Sequence, residues 1–428
     1  MSDQLLICTF VFLIFLILKI PVFLAILSAT VLYFTFIDNL TPLIIAQRCV
    51  AGLENIPLLA IPFFIFAGVL MNYTGITRRM MNFCTVVTGR MDGGLAQANV
   101  LLSTIMGGVS GSSIADAAME AKIFVPEMEK KGMSKPFSSV ITAASAIITP
   151  LIPPGIGMIV YGSVTGVSIG KLFVAGFGAG ILLYFALNIY VRIVSRRRGY
   201  KRLRETKITR KEFVTAFKPA MLALCFPVII LGGIRLGVFT PTEAGSIAVI
   251  FALALGMFYR EMTIKDFLNS IKESTIATAN IMIIIGMASA FAWILTREFV
   301  PQRLTMMMLQ FTDNKYLFLV MINLLLLLIG MFMEGNATII VLAPLLHPIA
   351  QAYGIDDINF AMVVIFNISL GMITPPFGML MFTTCGITGC KVKDFLKEGY
   401  PVIIVLFLCL VIITFVPWVT TGLVELIF

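Results

Sequence analysis

Apolar runs long enough to cross a bilayer recur from one end of this 428-residue chain to the other. In hydrocarbon every backbone polar group must be bonded within the protein, so such runs form helices or a closed β-barrel. A barrel would show short segments of alternating hydrophobicity, which the sequence lacks. Hydrophobic residues make up 59% of the chain and charged residues 12%, whereas soluble domains carry about 25% charged residues. The sequence therefore predicts an all-α polytopic membrane protein.

Two regions of the chain interrupt the apolar pattern in the same way. In each, a break rich in small polar residues is followed about forty residues later by a Pro-Pro step inside an apolar run. Broken hydrophobic segments in corresponding positions of two halves indicate the binding site of a secondary transporter, because unwound backbone there can bind ions. The pattern predicts an ion-coupled carrier. The breaks are 107–113 with Pro153-Pro154, and 334–338 with Pro375-Pro376.

The chain divides into two parts of similar length on either side of a basic segment. Several apolar runs near the breaks are too short for a hydrocarbon core of about 30 Å, which takes about 20 helical residues. We therefore expect inverted repeats, each with a re-entrant hairpin and a discontinuous helix, and about eleven full spans in all. The predicted first repeat is 1–192, with a hairpin near 94–125 and a broken helix near 137–167. The basic segment is 193–217, and the second repeat is 218–428, with a hairpin near 316–350 and a broken helix near 359–388.

The basic segment predicts the orientation of the chain. Eleven Lys and Arg residues lie between Arg192 and Lys218, which places this loop in the cytoplasm by the positive-inside rule. Topology thus accounts for the net charge of +9, and we expect contact with the lipid bilayer and no nucleic acid partner. The N-terminus lacks a basic region, and no small-residue cleavage site follows the first apolar run, so that run is expected to be a retained membrane helix.

The residue patterns that catalysis would need are missing from the sequence. Seven cysteines are scattered without a CxxC pair, and the single histidine, His347, cannot hold zinc alone. Neither HExxH nor GxSxG occurs, so no nucleophile with its base and no metal triad is predicted. We expect no enzyme activity, no cofactor and no transition metal, with Na⁺ as the coupling ion.

Several motifs in this chain resemble those of the large membrane subunit of TRAP (tripartite ATP-independent periplasmic) transporters. The resemblance covers essentially the whole chain, and the motifs keep their order and spacing. They are Gly-Val-Phe-Thr-Pro-Thr-Glu-Ala-Gly at 237–245, Ser110-Gly111-Ser112 through Ala115-Asp116-Ala117, Ile152-Pro153-Pro154 and Thr374-Pro375-Pro376.

This resemblance implies an elevator-type fold, in which a mobile transport domain slides against a fixed scaffold. It implies import of an organic acid, such as a C4-dicarboxylate or a sialic acid, driven by a sodium gradient across the bacterial inner membrane. It also implies two partners, a small four-helix membrane subunit and a periplasmic substrate-binding protein, and we expect the small subunit to be a separate chain. Many relatives have Gly where Thr149 stands and Pro-Ser-Ile-Pro where 154–157 stands, which limits the transfer of substrate identity.

Sodium needs about five or six oxygen ligands that carry little charge. Backbone carbonyls at helix breaks and the side-chain oxygens of Ser, Thr and Asn supply them. Such clusters also allow close helix packing, but their occurrence in both halves favours ion sites. The first predicted sodium site consists of Ser110, Ser112, Ser113, Thr149, Ile152 and Pro153. The second consists of Gly335, Asn336, Thr338, Gly371, Thr374 and Pro376.

An organic acid would be attracted by the positive ends of helix dipoles, so we expect it between the two hairpin tips. Neither motif contains an arginine, which favours recognition by backbone and hydroxyl groups. Asp116 and Glu334 could each take part in binding or simply lie near a helix end. Glu243 could cap a helix or take part in transport. The predicted substrate-binding residues are Ser112, Asp116, Pro154, Asn336 and Pro375.

Two other functions fit the same paired breaks. A stand-alone sodium/carboxylate symporter would need neither the small subunit nor the binding protein. A passive anion channel would pass its ion without sodium.

Overall fold

The computed structural model describes residues 3–18, 20–37 and 41–428. Within these ranges the regular elements are α-helices and two short 3-10 helices, Ile56–Leu59 and Thr149–Leu151, without a strand. The expectation about the N-terminus rests partly on Met1 and Ser2, which lie outside the described residues. The helices of the first part are α1 (Asp3–Ile17), α2 (Val22–Thr35), α3 (Leu43–Leu53), α4 (Ala60–Tyr73), α5 (Ile76–Thr88), α6 (Gly94–Ser110), α7 (Ser113–Lys130), α8 (Lys135–Ser145), α9 (Ile156–Thr165) and α10 (Ile169–Arg198). Those of the second part are α11 (Arg210–Arg235), α12 (Pro241–Tyr259), α13 (Ile264–Arg297), α14 (Val300–Phe311), α15 (Lys315–Gly330), α16 (Gly335–Ala352), α17 (Asp357–Gly371), α18 (Met379–Thr388), α19 (Val392–Phe415) and α20 (Trp418–Ile427).

The helices confirm the expected all-α multi-pass membrane architecture. Among the described residues, seven helices are long and apolar enough to cross a membrane, or eight if the bent pair α8–α9 counts as one span. Seven further apolar helices in the described ranges have 10–17 residues and fall short of that length. The total of about eleven full spans stays a prediction.

The first hairpin opens at the end of the molecule that carries the basic loop, here called the basic end. Just before α6, Asp92 accepts hydrogen bonds from Arg196 at 2.6 Å and from Arg202 at 2.7 Å. Just after α7, the backbone N–H of Ser134 donates to the Tyr200 hydroxyl at 3.3 Å. Helix α6 therefore leaves the basic end and α7 returns to it, with the tip of the hairpin between them.

The second hairpin, α15 and α16, opens at the opposite end. Helix α19 has 24 residues and is therefore about 36 Å long. Near its start, Glu398 pairs with Arg198 at 2.7 Å, which places that start at the basic end. At its other end, the Phe415 ring lies 6.0 Å from that of Tyr316 at the start of α15. Because the Tyr353 hydroxyl, just after α16, donates to the Thr312 carbonyl at 2.8 Å, α16 returns to this same end.

A broken helix accompanies each hairpin. Helices α8 and α9 are separated by the Thr149–Leu151 turn and bend by 41°, and α17 and α18 are separated by residues 372–378. Both Pro153-Pro154 and Pro375-Pro376 are cis. The second arm of each hairpin packs on the broken helix of the other half, α7 on α18 and α16 on α9. The division into inverted repeats at 1–192 and 218–428 stays a prediction, and hairpins entering from opposite ends are the arrangement that such repeats produce.

The start of α12 answers the question that the sequence left open for Glu243. Its carboxylate accepts a hydrogen bond from the Thr240 backbone N–H at 2.7 Å, and its own N–H donates to the Thr240 hydroxyl at 3.3 Å. This reciprocal pair is a capping box, which satisfies the free N–H groups of a helix start. Glu243 therefore caps a helix.

Asp92 anchors the basic loop to the start of the first hairpin through ion pairs. We predict that removing its charge makes this loop more accessible to protease. Hydrogen bonds from Arg202 and Arg196 hold the pKa of Asp92 below its ordinary value. The carboxylate therefore stays ionised at neutral pH, and its stabilising contribution is lost only as the pH falls through the lowered pKa. Both arginines are about half exposed, so solvent weakens the pairs. Asp92→Asn should make trypsin cleave at 196–204 roughly two- to fivefold faster.

The matched control for this prediction is Glu205→Gln, which changes an exposed acid in the same loop. Its cleavage rate should equal that of the wild type. Equal rates for wild type and Asp92→Asn would show that the pairs do not hold the loop.

Candidate ion and substrate site

The tip of the first hairpin is a tight turn built by glycine and serine. Helix α6 ends at Ser110, and the next residue, Gly111, has the left-handed φ of +62° that glycine adopts without strain. Ser112 then caps α7 by accepting the Ala115 N–H at 3.4 Å, and the Ser110 hydroxyl accepts the Ser112 N–H at 3.4 Å. The C-terminus of one helix and the N-terminus of the next thus meet within three residues. This brings both a negative and a positive dipole end to the tip.

The first tip packs directly on the backbone of the first Pro-Pro region. A Cβ atom added at Gly107 would lie 3.0 Å from the Thr149 Cα, and one at Gly108 would lie 3.1 Å from the Pro153 carbonyl oxygen. One at Gly111 would lie 3.1 Å from the Pro154 carbonyl oxygen. The structure thus places the first tip against Thr149 and Pro153, two members of the first predicted sodium site, and glycine permits this approach.

The tip of the second hairpin is organised by Glu334. Its carboxylate accepts the Ala337 N–H at 2.9 Å and the Asn336 side-chain amide at 3.0 Å. Its carbonyl accepts the Thr338 hydroxyl at 2.9 Å. Glu334 therefore caps α16 and fixes the orientation of the Asn336 side chain, a capping role that the sequence had left open.

Behind this tip, α15 and α17 touch through two glycines. A Cβ atom at Gly371 would lie 2.6 Å from the Gly330 carbonyl carbon and 2.7 Å from its Cα. A Cβ atom at Gly335 would lie 3.6 Å from the Met372 sulfur, so Gly335 sits next to the end of α17. Of the second set of predicted sodium residues, Gly335 and Gly371 thus both lie where the tip meets the end of α17.

The two tips face one another across a single cavity of about 50 Å³. Ser112 and Ser113 line it from the first hairpin, and Gly335 and Asn336 line it from the second. Further lining residues are Gly111, Ile114, Pro150, Gly157, Glu334, Ile339, Ile365, Ile368, Ser369 and Met372. The N-termini of α7 and α16 both lie at this cavity, so two positive dipole ends converge there.

Three hydroxyls of the predicted sodium sites already donate their hydrogen to protein acceptors. Thr149 donates to Asp116 Oδ2 at 2.7 Å, Thr338 to the Glu334 carbonyl at 2.9 Å, and Thr374 to the Leu370 carbonyl at 2.7 Å. A hydroxyl that has donated its hydrogen keeps its oxygen lone pairs. These oxygens can therefore serve as cation ligands.

Other predicted site residues do not line the cavity between the tips. Asp116 is 2% exposed and lies behind the first tip, where Thr149 bonds to it. Pro154 is buried behind Gly111, Pro375 is half-buried, and Pro376 is exposed. Of the five residues predicted to bind substrate, Ser112 and Asn336 reach the cavity.

A buried polar cluster that the sequence patterns did not indicate lies at the middle of the first hairpin. Its centre is Glu120, which is 0% exposed and accepts the Ser103 hydroxyl at 2.7 Å. The available signal was the spacing of Asp116 and Glu120, which puts two carboxylates on one face of a helix. The other members are Asn99, Thr142 and Ser145.

A second, larger cavity of about 610 Å³ lies toward the basic end. The hairpin contributes Leu95, Ile123 and Phe124 to its wall, and α5 contributes Arg78 and Arg79. Both arginines pair with Glu261, at 3.0 and 2.7 Å. A volume of this size falls in the range of small-molecule sites, about 300–1,000 Å³.

Comparisons with known proteins agree with this architecture. The family model described as "Tripartite ATP-independent periplasmic transporter, DctM component" matches residues 7–419. The chain is 37% identical to the sialic acid TRAP transporter large permease protein SiaM of Vibrio cholerae, covering 89% of each chain. It is 36% identical to the C4-dicarboxylate TRAP transporter large permease protein DctM of Pseudomonas aeruginosa, covering 86% of each.

Two further comparisons cover nearly the whole chain. The chain is 36% identical to the sialic acid TRAP transporter permease protein SiaT of Haemophilus influenzae, over 98% of this chain and 68% of that protein. The crystal structure of the Alcanivorax borkumensis YdaH transporter superposes with a TM-score of 0.60 over 97% of this chain and 98% of that one, at 15% identity. The relatives are transport proteins, which agrees with the expectation that this chain is not an enzyme. The resemblance seen in the motifs is confirmed, and the chain belongs to the DctM component family of the tripartite ATP-independent periplasmic transporters.

Proposed function

We propose that this chain is the large membrane subunit of a sodium-coupled importer of an organic acid in the bacterial inner membrane. It works with a small four-helix membrane subunit and a periplasmic substrate-binding protein, and its hairpins move as part of an elevator. The observation that supports this most is the meeting of two hairpin tips, entering from opposite ends, at one cavity. A site that both ends of the protein can reach in turn is what alternating access requires.

The substrate is an organic acid of the C4-dicarboxylate or sialic acid type. Relatives that cover most of this chain are named for sialic acid and for C4-dicarboxylates, and both compounds carry carboxylates. The N-termini of α7 and α16 supply positive dipole ends at the cavity. The residues lining that cavity include neither Lys nor Arg, so backbone N–H and hydroxyl groups carry the recognition. Selectivity then depends largely on the protein that delivers the substrate.

The size of the cavity requires a movement during transport. A volume of about 50 Å³ holds a few waters or ions, since a water needs about 10–15 Å³ of such space. It is far below the range of about 300–1,000 Å³ typical of small-molecule sites. The tips therefore separate to admit the acid, and the 610 Å³ cavity beside α6 and α7 lies on its path to the basic end.

Sodium is the coupling ion because the two tips present neutral oxygens. Carbonyls and hydroxyls bind Na⁺ at helix breaks without a lasting negative charge. A tenfold gradient contributes about 1.4 kcal/mol per ion, and a potential of 100 mV adds about 2.3 kcal/mol per charge. Two sodium ions thus supply about 7 kcal/mol, before the charge of the substrate is subtracted. That is enough for uphill import.

Reconstitution tests this proposal. In proteoliposomes with the small subunit, uptake of labelled sialic acid or C4-dicarboxylate should require both an inward sodium gradient and the matching binding protein. Sodium-driven uptake without the binding protein would instead identify a stand-alone symporter. Flux that is indifferent to sodium would identify a passive channel and exclude the proposed coupling.

A further inference from the structure

Helix α7 buries two carboxylates one turn apart, Asp116 at 2% exposure and Glu120 at 0%. Their hydrogen-bond partners in the described part of the chain are hydroxyls, and neither carboxylate has a Lys, Arg or His partner there. A buried carboxylate without a countercharge is strongly unfavourable. Two of them on one helix face also repel one another. Something that these side chains do not supply must balance their charge.

A sodium ion at the first predicted site would balance one of the two charges. Thr149, a predicted sodium ligand, donates its hydroxyl to Asp116 at 2.7 Å, so a cation at this tip lies next to the Asp116 carboxylate. Glu120 is one helical turn further from the tip and contacts none of the predicted sodium residues. Its charge needs a separate partner.

Neutral oxygens surround Glu120. The Ser103 hydroxyl donates to Oε2 at 2.7 Å, and the Ser145 hydroxyl lies 3.5 Å from the same atom. The Asn99 amide donates to Ser145 at 3.4 Å and to Thr142 at 2.9 Å. All these side chains are 0% exposed. They come from three different helices, α6, α7 and α8, so the cluster is built by tertiary packing.

Two oxygens of this cluster have no hydrogen-bond donor among the described groups. They are Glu120 Oε1 and Asn99 Oδ1, and both are fully buried. Glu120 and Asn99 are linked through the Ser145 hydroxyl, which both contact, and the Ser103 hydroxyl oxygen lies 3.2 Å from the Asn99 backbone carbonyl oxygen. Native proteins leave few buried acceptors unsatisfied, and the exceptions often mark an ion or a functional group.

We propose that Glu120 anchors a further sodium site in the first hairpin, with Asn99, Ser103 and Ser145 as its neutral oxygen ligands. The proposal rests on the proposed sodium coupling. A carboxylate together with amide and hydroxyl oxygens is the ligand set that hard cations prefer. One sodium ion supplies the missing charge and gives a partner to both unsatisfied oxygens. A proton on Oε1 is the competing way to neutralise Glu120, and only the sodium site adds an ion to the number of Na⁺ bound per chain.

Sodium binding to the purified wild-type protein and to Glu120→Gln tests this site. Equilibrium dialysis with ²²Na⁺ should show one Na⁺ per chain fewer for Glu120→Gln. The control, Glu129→Gln, neutralises an acid on the same helix that pairs with Lys135 at the surface at 3.6 Å, and it should bind as many ions as the wild type. In sodium-free choline buffer the melting temperature of Glu120→Gln should exceed that of the wild type by about 2–5 °C, and saturating sodium should reduce the gap.

The alternative outcomes are distinct. If Glu120→Gln binds as many sodium ions as the wild type, the Glu120 site is wrong, while the proposed coupling at the tips stands. A further result would assign a proton to Glu120 and overturn the sodium site. In that case Glu120→Gln binds as many Na⁺ as the wild type, and it abolishes a pH dependence of the melting temperature that the wild type shows. A wild type that binds no sodium overturns both proposals. If Glu120→Gln does not fold, Asn99→Leu should lose the same ion, and an unchanged count would reject the site.

Discussion

Gly371→Ala is expected to reduce substrate uptake roughly tenfold or more and to lower the melting temperature. The added Cβ atom would lie 2.6 and 2.7 Å from backbone atoms of Gly330, and backbone cannot turn aside as a flexible side chain can. Helices α15 and α17 must therefore move apart, at a cost of about 1–3 kcal/mol for overpacking. This displaces the second tip, whose Asn336 lines the cavity. A factor of ten corresponds to about 1.4 kcal/mol.

Gly386→Ala is the matched control. Gly386 lies inside α18, and a Cβ atom there meets nothing within 4 Å. Because alanine favours a helix over glycine by about 1 kcal/mol, this variant should be as stable as the wild type or more so, with uptake unchanged. If Gly371→Ala shows the uptake and the sodium affinity of the wild type, the contact with Gly330 does not position the tip.

Glu334→Ala is expected to weaken sodium-dependent uptake roughly ten- to hundredfold. The substitution removes the acceptor of the Ala337 N–H and of the Asn336 amide. A buried donor left without its partner costs about 1–3 kcal/mol. The second tip then loses both the cap of α16 and the fixed orientation of Asn336. The concentration of sodium at half-maximal uptake should rise, because the ligands are no longer held in place before the ion arrives.

Asp356→Ala separates this effect from the general loss of a helix cap. Asp356 caps α17 in the same manner, accepting the Ile358 N–H at 3.0 Å and the Asn359 N–H at 2.8 Å. Unlike Glu334, it is exposed, and it lies far from the tips, at the side of the molecule opposite the basic end. Its removal should cost about 0.5–2 kcal/mol of stability and leave the sodium dependence of uptake unchanged. Equal shifts in sodium dependence for both variants would mean that Glu334 acts on stability alone.

The breaks at 107–113 and 334–338 are positions where local sequence and final structure agree. In a membrane a helix can end in hydrocarbon only where protein covers the freed backbone groups. Glycine, serine and proline inside an apolar run therefore indicate a helix break that the rest of the protein covers. In the structure α6–α7 covers 94–130 and α15–α16 covers 315–352, and the sequence predicts hairpins near 94–125 and 316–350. Local hydropathy does not reveal whether a helix stops halfway, so the number of full spans, expected at about eleven, stays a prediction.

The buried cluster around Glu120 illustrates what local sequence could not provide. Its contacts join residues 17 and 25 positions apart, on three helices whose relative rotation no local pattern records. The same limit explains why Pro154 and Pro375 were expected at the substrate cavity and lie elsewhere. Which side of a proline faces a cavity depends on how the bend of its helix packs on the neighbouring hairpin.

The sequence alone determined that this protein is a helical membrane transporter with two broken regions. In a bilayer every backbone polar group must be bonded within the protein, and this requirement is visible in the lengths and interruptions of the apolar runs. The sequence also determined the helix starts that carry capping pairs such as Thr240 and Glu243, since these bonds span three residues. Tertiary structure alone decided that the two tips share one cavity, that Gly330 touches Gly371, and that the Glu120 carboxylate lies among neutral oxygens. Those features depend on distances between helices far apart in the chain, which are set by side-chain packing.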